Sequence, residues 1–319
     1  MSKAVLYLHA LTPMHPGSGT ALGVVDLPVQ RERHTQWPLI PGSSLKGVLR
    51  DHFREQMLDF DNEEIDTRRK ADGNPRVTRL FGPPTIGADE GKAHAGALSI
   101  TDARILAFPV RSLRGVFAWI TCPAVLTRLQ RDLAVAGFQD VPEHLDVKPD
   151  EAYLAEGSPL LVGNKVLLEE FEFNTKHHKD LPDLFEWLAE QVFNADESPE
   201  LFHTQEQIRQ RMVILSDDDF THFVRHATEV MARVGLDYNT KTVKDGALFY
   251  EEFLPAETLF YSLVLADEAR SAHKSQNMDA AAVMADFKEG LPQHLQIGGD
   301  ATIGKGLCAV TLRQGGNAQ

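Results

Sequence analysis

The chain of 319 residues has only two cysteines, Cys122 and Cys308, which lie far apart and show no paired-ligand spacing. This scarcity excludes a disulfide framework and a cysteine zinc site, and we expect both thiols to lie in strands as small apolar residues. No run of about 18 apolar residues occurs, and the first residues lack an apolar segment followed by a cleavage site. These absences predict a cytoplasmic protein without a membrane span.

Basic residues are also scarce, because 32 Lys and Arg face 46 Asp and Glu, for a formal net charge of −14. Such a charge argues at first against a nucleic-acid partner. The distribution is uneven, however. Residues 137–200 hold sixteen acidic and four basic residues, which is −12, so the rest of the chain carries only −2. Residues 31–54 hold five basic and two acidic residues. We interpret the acidic segment as solvated surface and the basic stretch as a local feature.

The fold class follows from the order of local patterns, in a chain of ordinary globular composition with 43% hydrophobic residues. The patterns predict a strand at Ala4–Leu11, a helix after Pro41, and two strands at Ala97–Ala107 and Gly115–Cys122. A second helix through Val135 and a last strand at Gly306–Leu312 follow. This βαββαβ order is typical of a ferredoxin-like (RRM-like) unit in an α+β fold. We therefore expect one elaborated domain, with a core unit at about 1–58, 97–136 and 295–313 and insertions at about 59–96 and 137–294.

Further elements are predicted inside the two insertions. Residues 59–95 are dense in charge, glycine and proline and are expected to be irregular. The other expectations are a strand at Val166–Phe173, a helix at Leu181–Phe193, a helix capped by Ser216 that runs past Met231 to a stop at Gly235, and a hairpin of Ala247–Leu254 with Thr258–Ala266.

Residues 14–54 combine a glycine-rich loop, a lone carboxylate and a basic helix. Either Ser43 or Ser44 is expected to cap that helix after Pro41 and Gly42. Its positions of helical spacing divide into an apolar stripe of Leu45, Val48, Leu49 and Phe53 and a basic stripe of Lys46, Arg50 and Arg54. Because free N–H groups at a helix start favour anions, the basic stripe is either a phosphate-binding face or a solvated surface.

A second glycine-rich stretch, residues 297–306, superficially fits a phosphate-binding P-loop. Gly299 and the pair Gly304-Lys305 have the right separation, but Gly306 stands where a magnesium-binding Ser or Thr should follow. Only thirteen residues remain after it, too few for a nucleotide-binding domain. The stretch is therefore either a loop whose backbone N–H groups approach RNA phosphates or a plain turn before the last strand.

Several segments resemble one known family. The segments are HPGSG, VVDLPVQRE and PLIPGSSLKGVLR in residues 15–50, together with 112–119, 168–173, 215–220, 240–243 and 248–252. They are similar to the RAMP superfamily of CRISPR proteins, and specifically to the backbone subunit of the Cmr-type (type III-B) effector complex. The resemblance covers nearly the whole chain.

The resemblance implies a subunit present in several copies, which stacks along a guide CRISPR RNA together with the other subunits of the Cmr-type complex. It also implies a ferredoxin-like palm and a β-hairpin thumb, which maps near residues 235–250. In that family the loop carboxylate that matches Asp26 is needed to cut single-stranded target RNA beside each thumb, with a divalent metal ion, Mg²⁺ or Mn²⁺. The expected activity is therefore that of a metal-dependent endoribonuclease that cuts at regular intervals.

The chemistry of RNA cleavage shows what Asp26 can contribute. The 2′-hydroxyl is the nucleophile, so the site must remove its proton, hold the attack in line and stabilise the developing charge. Products with 2′,3′-cyclic phosphate ends are expected. Asp26 can act as the base or as a metal ligand. His15 is a candidate proton donor or only a loop hydrogen-bonding residue, and Glu251 and Glu252 are candidate second acids or strand-edge surface residues.

The remaining candidates are residues expected to contact RNA phosphates: Gly17, Ser18, Arg31, Arg33, Gly42, Ser43, Ser44, Lys46, Arg50, Arg54, Lys241, Lys244, Gly298, Gly299, Gly304 and Lys305. A non-catalytic RNA-binding scaffold subunit of the same kind of complex is the alternative function. Asp26 discriminates between the two functions, because a scaffold has no use for that carboxylate.

Overall fold

A computed structural model describes residues 1–21, 23–58, 67–84, 94–139, 141, 146–193, 202–269 and 277–316, with only the backbone at residues 67–69 and 245. The helices are α1 Gly42–Glu55, α2 Thr67–Asp72, α3 Pro75–Phe81, α4 Pro123–Ala136, α5 Leu181–Val192, α6 Phe202–Arg211, α7 Asp217–His226 and α8 Ala280–Gly290. Within these ranges no helix is long and apolar enough to cross a bilayer.

The strands are β1 Ser2–Ala10, β2 Leu39–Ile40, β3 Leu98–Ile100, β4 Ala103–Arg111, β5 Phe117–Thr121, β6 Glu151–Leu154, β7 Lys165–Leu168, β8 Phe171–Lys176, β9 Met212–Ile214, β10 Glu229–Leu236, β11 Val243–Phe253, β12 Leu259–Ala266, β13 His294–Gln296 and β14 Leu307–Arg313. In the described parts of the chain, twelve of them form one mixed sheet in the order β13-β14-β1-β12-β4-β5-β9-β6-β8-β7, with β2 on β4 and β3 on β12. The coarse prediction of a mixed α+β protein is confirmed.

The centre of the sheet is β1, in which every residue from Ala4 to Ala10 is buried. It pairs antiparallel with β14 on one side and with β12 on the other. In a ferredoxin-like sheet the third strand of the βαββαβ unit lies next to the first, and the predicted third strand is Gly115–Cys122. The structure differs at that place, because β5 pairs with β4 and β9 instead. The strand that lies there, β12, has an almost entirely buried apolar sequence, which is typical of an interior strand. Helix α8 follows it and stacks Phe287 on Phe53 of α1, with ring centroids 5.8 Å apart.

The predicted hairpin of Ala247–Leu254 with Thr258–Ala266 is also wrong. Strand β11 pairs with β10 in a separate two-stranded sheet, whereas β12 belongs to the main sheet. Gly235 does not stop α7, which ends at His226. It lies inside β10, where the register shifts between Val234 and Leu236, and glycine is common at such irregular strand positions. The cap of α7 is as expected, since Ser216 Oγ accepts from the N–H of Asp219 at 3.2 Å.

The other corrections concern a helix cap and the bounds of individual helices and strands. Neither Ser43 nor Ser44 caps α1 with its side chain, because the N–H of Gly42 donates to Asp102 Oδ1 at 2.7 Å. Residues 59–95 are not irregular throughout, since α2 and α3 lie there and Asn74 caps α3 just before a proline. The predicted strand at Val166–Phe173 is the hairpin of β7 and β8, which reverses at residues 169–170.

Candidate functional site

The loop that carries Asp26 runs alongside β11. The N–H groups of Asp26 and Leu27 donate to the carbonyl of Tyr250 at 3.0 and 3.1 Å, and the N–H of Glu252 donates to the carbonyl of Leu27 at 3.0 Å. Asp26 Oδ2 accepts a further hydrogen bond from the N–H of Tyr250 at 2.7 Å. The carboxylate is half-buried and is fixed where the β10–β11 hairpin leaves the body of the protein. Its Oδ1 atom has no hydrogen-bond partner among the described residues.

His15 attaches to the same strand. Its Nδ1 donates to the carbonyl of Glu252 at 2.7 Å, so in the neutral ring Nε2 is the unprotonated nitrogen. Nε2 lies 3.8 Å from Glu251 Oε1, and the ring is buried. Gly17 covers the ring so closely that a Cβ atom there would lie 2.6 Å from Nε2. His15 and Asp26 are thus both hydrogen-bonded to β11, at Glu252 and Tyr250, and a proton-donor role for His15 remains a prediction.

Glu251 and Glu252 are both buried, although neighbouring residues of a strand point to opposite faces. Their interpretation as strand-edge surface is wrong, because each faces a separate set of partners. Glu252 accepts from the N–H of Val29 at 2.9 Å, from Arg31 Nη2 at 2.6 Å and from Thr228 Oγ1 at 2.9 Å. Glu252 therefore already has three protein donors and little exposure for contact with a substrate.

On the Glu251 side, a charged cluster joins the hairpin to the second glycine-rich stretch. Arg233 of β10 donates from Nε to Glu251 Oε2 at 3.0 Å and pairs through Nη2 with Asp300. Arg233 and Lys305 both lie over the ring of Phe253, at 5.6 and 4.9 Å from its centroid. Sequence reasoning missed Arg233 and Asp300. No local signal could have found them, because they are far apart in the chain and each is an ordinary residue of its own segment.

The two glycine-rich stretches lie against each other. The N–H of Gly299 donates to the carbonyl of His15 at 3.0 Å, and the N–H of Gly306 donates to the carbonyl of Pro13 at 2.9 Å. At Gly298, where φ is +91°, a Cβ atom would lie 2.4 Å from that same His15 carbonyl oxygen. Residues 297–306 connect β13 and β14, and the described residues after them, up to 316, contain no helix, so the P-loop fit is excluded. Of the glycines predicted to contact phosphate in these two stretches, all four are exposed: Gly17, Gly298, Gly299 and Gly304.

The basic stripe of α1 is engaged within the protein. Lys46 Nζ donates to the carbonyl of Leu98 at 2.8 Å, and its burial, followed by the nearby Arg50 charge, lowers the Lys46 pKa. Arg50 pairs with Asp72 at 3.1 Å, and Arg54 lies 3.9 Å from Asp72 and also pairs with Asp51. At the start of α1, the Asp102 carboxylate accepts a hydrogen bond from the N–H of Gly42, which is buried. Ser43 and Ser44 are exposed. Phosphate binding by this helix remains a prediction.

The other predicted basic contacts divide by exposure. Arg31 is mostly buried, because its Nη1 donates to the carbonyls of Gln36 and Val224 while Nη2 binds Glu252. Arg33, Lys241 and Lys244 are exposed, as is Ser18, whose N–H and Oγ donate to the carbonyl of Pro28. Lys241 lies 4.4 Å from the ring centroid of Tyr238, which is 82% exposed at the hairpin turn. These exposed side chains are the ones available to a polyanion.

The hairpin of β10 and β11 exposes apolar side chains along its length. About half of the surface is accessible on five of them, Val230, Val234, Leu236, Val243 and Leu248. In the described residues, no third strand pairs with this two-stranded sheet. An isolated hairpin of this kind is marginally stable, and exposed apolar surface marks interaction sites. The hairpin therefore has the surface of an element that contacts a partner.

A divalent metal would find one well-placed carboxylate here. Among the described residues, no group of three or more His, Cys, Asp or Glu could hold a metal ion. Mg²⁺, however, commonly binds through one or two carboxylates, several waters and substrate phosphates. Asp26, with one carboxylate oxygen that makes no hydrogen bond to any described residue, fits that mode of binding.

Comparison with known proteins identifies the family. Residues 7–309 match the sequence profile of the RAMP superfamily, and the chain belongs to that family. It is 40% identical to the "CRISPR system Cmr endoribonuclease Cmr4" of Pyrococcus furiosus over 315 residues, which are 98% of this chain and 97% of that protein. The predicted resemblance to this superfamily and to its Cmr-type member is confirmed.

Solved structures agree with this family assignment. The crystal structure of oligomeric Cmr4 from Pyrococcus furiosus superposes with a TM-score of 0.71 at 33% identity, covering 99% of this chain and 100% of that one. The cryo-EM structure of the Type III-B Cmr-beta complex bound to cognate target RNA contains a chain with a TM-score of 0.66 at 19% identity, covering 98% of this chain and 97% of that one. The second similarity shows a shared fold alone.

Proposed function

We propose that this protein is an RNA-cleaving backbone subunit of a type III-B CRISPR effector complex. It stacks with further copies of itself and with other Cmr-type subunits along a guide RNA, and it cuts complementary target RNA at regular intervals. The proposal is supported by a relative of 40% identity that is named a Cmr endoribonuclease and by the likeness to an oligomeric Cmr4 structure. Open stacking requires a heterologous interface between identical chains.

The sheet topology supports the proposal of a ferredoxin-like palm with a hairpin thumb. Strands β14, β1, β12 and β4 are neighbours in that order, and with α1 and α8 they follow the chain order strand, helix, strand, strand, helix, strand. We assign these elements to a ferredoxin-like palm. The projecting hairpin of β10 and β11 is then the thumb, with bounds of Glu229–Leu236 and Val243–Phe253 rather than 235–250.

The observation that carries the catalytic proposal is the attachment of Asp26 to Tyr250 of β11, at the base of this hairpin. RNA distorted by the thumb would therefore pass the carboxylate where the hairpin begins. Asp26 either removes the 2′-hydroxyl proton as the base or would serve as a ligand of a divalent metal ion. Attack by that hydroxyl on the neighbouring phosphorus breaks the bond to the 5′-oxygen and leaves a 2′,3′-cyclic phosphate.

Mg²⁺ or Mn²⁺ is the proposed cofactor, and Asp26 is the residue that would hold it together with RNA phosphate. When bound, such an ion supplies electrostatic stabilisation of the phosphorane charge. His15, with Nε2 unprotonated in its neutral form, must be protonated before it can donate to the leaving 5′-oxygen. Glu251, paired with Arg233 of the neighbouring hairpin strand, is proposed to orient that arginine towards Asp300 rather than to meet RNA.

Phosphate contacts are proposed for the exposed members of the predicted set that lie outside α1. They are Gly17, Ser18, Arg33, Lys241, Lys244, Gly298, Gly299 and Gly304, with the half-buried Lys305 beside them. Backbone N–H groups and lysine or arginine side chains contact phosphate without reading sequence. Guide and target RNA of any sequence are therefore expected to bind.

The experiment is cleavage of labelled target RNA by the complex reconstituted with its guide. We expect a ladder of regularly spaced products with 2′,3′-cyclic phosphate ends. A 2′-deoxy sugar at one cleavage position should abolish cutting there alone, because that position has lost its nucleophile. Intact target RNA in a correctly assembled complex would overturn the catalytic proposal and favour the scaffold function. Cutting at the deoxy position would overturn 2′-hydroxyl attack.

A further inference from the structure

A buried ion pair lies behind the Asp26 loop. Arg31 Nη2 donates to Glu252 Oε1 at 2.6 Å, and the two side chains are only 15% and 8% exposed. Arg31 Nη1 donates to two carbonyls, those of Gln36 and Val224, both at 2.9 Å. The guanidinium therefore bridges the loop, the C-terminal half of α7 and strand β11.

Glu252 extends the same network to two more points. Its Oε2 accepts from the N–H of Val29, three residues after Asp26, and its Oε1 accepts from Thr228, just before β10. The pair thus ties the loop, strand β11, the residue just before β10 and α7 to one another. Neither charged group is open to RNA, because protein donors and acceptors surround both.

Burial of such a pair is not explained by stability. Removing two charges from water costs several kcal/mol per ion, and the attraction between them often only offsets that cost. What the pair provides is fixed geometry, since the forked guanidinium meets several acceptors at once. The part of the chain that the pair fixes is the loop segment next to Asp26. The Asp26 side chain itself makes only one hydrogen bond to β11.

We propose that Arg31 and Glu252 are positioning residues for RNA cleavage, holding the Asp26 loop on β11 so that the carboxylate and the hairpin keep a constant separation. This inference rests on the proposed function. A displacement of about 1 Å of a catalytic group can lower a rate about 100-fold. Loss of either positioning residue should therefore slow cleavage while guide and target binding stay unchanged.

The test measures single-turnover cleavage per bound target in reconstituted complexes. Glu252→Ala removes three acceptor contacts, and we expect a rate about 100-fold lower. Arg31→Lys keeps the charge balance but cannot contact all three acceptors, and we expect a smaller loss with normal assembly. Asp286→Ala is the matched control, because it breaks a similarly buried contact with Arg76 and Arg79 at 2.6 and 2.7 Å, between α3 and α8. Its rate per bound target should equal wild type.

A double variant separates positioning from general destabilisation. Because Glu252 acts through Asp26, the residual cutting that remains in Asp26→Asn should not become slower when Glu252→Ala is added, whereas independent effects would multiply. Multiplying losses would overturn the inference. Wild-type rates in Arg31→Lys, or in an assembled Glu252→Ala complex, would also overturn it. Normal cutting by Asp26→Asn alone would instead overturn the proposed function on which the inference rests.

Discussion

Gly17→Ala tests the packing at the centre of the site. The backbone at Gly17 is not in the left-handed region, so the substitution adds a methyl group without backbone strain. That methyl carbon would lie 2.6 Å from Nε2 and 3.1 Å from Cδ2 of His15. The ring cannot turn away freely, because its Nδ1 is bound to Glu252 and the ring packs against Phe253, with centroids 5.7 Å apart.

The expected cost is that of overpacking, about 1–3 kcal/mol. Alanine also reduces the freedom of the unfolded chain, which by itself stabilises by about 0.4–1 kcal/mol. Gly23→Ala measures that second effect alone, since it lies in the same loop, has no positive φ and would place its Cβ atom in open space. The difference between the two variants therefore isolates the contact with His15.

The assay is urea unfolding of the full chain, followed by intrinsic fluorescence, with the slope of each transition compared before the midpoints are interpreted. Gly17→Ala should unfold at a lower urea concentration than wild type, and Gly23→Ala at an equal or slightly higher one. If Gly17→Ala were as stable as Gly23→Ala, His15 would not be held against this glycine, and the described geometry of the site would be refuted.

Three further predictions concern the cap, the basic surface and the thiols. Asp102→Ala should lower the free energy of unfolding by about 1 kcal/mol, because it removes the hydrogen-bond acceptor at the start of α1. Ser43→Ala should be nearly neutral in the same urea assay. Equal effects of the two substitutions would contradict the assignment of the cap. Replacing Arg33, Lys241 and Lys244 with Ala should weaken binding of every RNA alike and lower the salt slope by about 2, as measured by titration at several salt concentrations; an unchanged slope would remove these residues from the interface. Burial raises the pKa of Cys308 to about 12 and also raises the pKa of Cys122. A disulfide reagent at pH 8 should therefore label neither thiol until urea unfolds the chain, and rapid labelling of the native protein would contradict their burial.

Local patterns predicted what is decided locally. The apolar stripe of α1 was predictable because Leu45, Leu49 and Phe53 repeat at helical spacing, and all three are buried. The cap of α7 at Ser216 was equally predictable from a serine followed by acidic residues. The cap of α1 was not, because its acceptor, Asp102, is distant in the chain and only the folded sheet places it there.

Strand pairing was the part that the sequence could not decide. Strands β11 and β12 are neighbours in the chain and both have strand-forming composition, so a hairpin was the natural local prediction. The buried sequence of β12 gains more from a central position next to β1, whereas β11 carries exposed Leu248, Phe249 and Tyr250 and leaves the sheet with β10. The charges at the hairpin base, such as Arg233 with Asp300, become neighbours only after this choice is made.

The most direct measurement is target cleavage by a complex in which every copy of the subunit carries Asp26→Asn. The amide keeps the size of the side chain and an oxygen that can accept from Tyr250, but it removes the charge and the basicity. Assembly, guide binding and target binding should match wild type, and cutting at all of the regularly spaced positions should be lost together, because identical copies of one loop serve them all. Cutting at the wild-type rate by this complex would contradict the account.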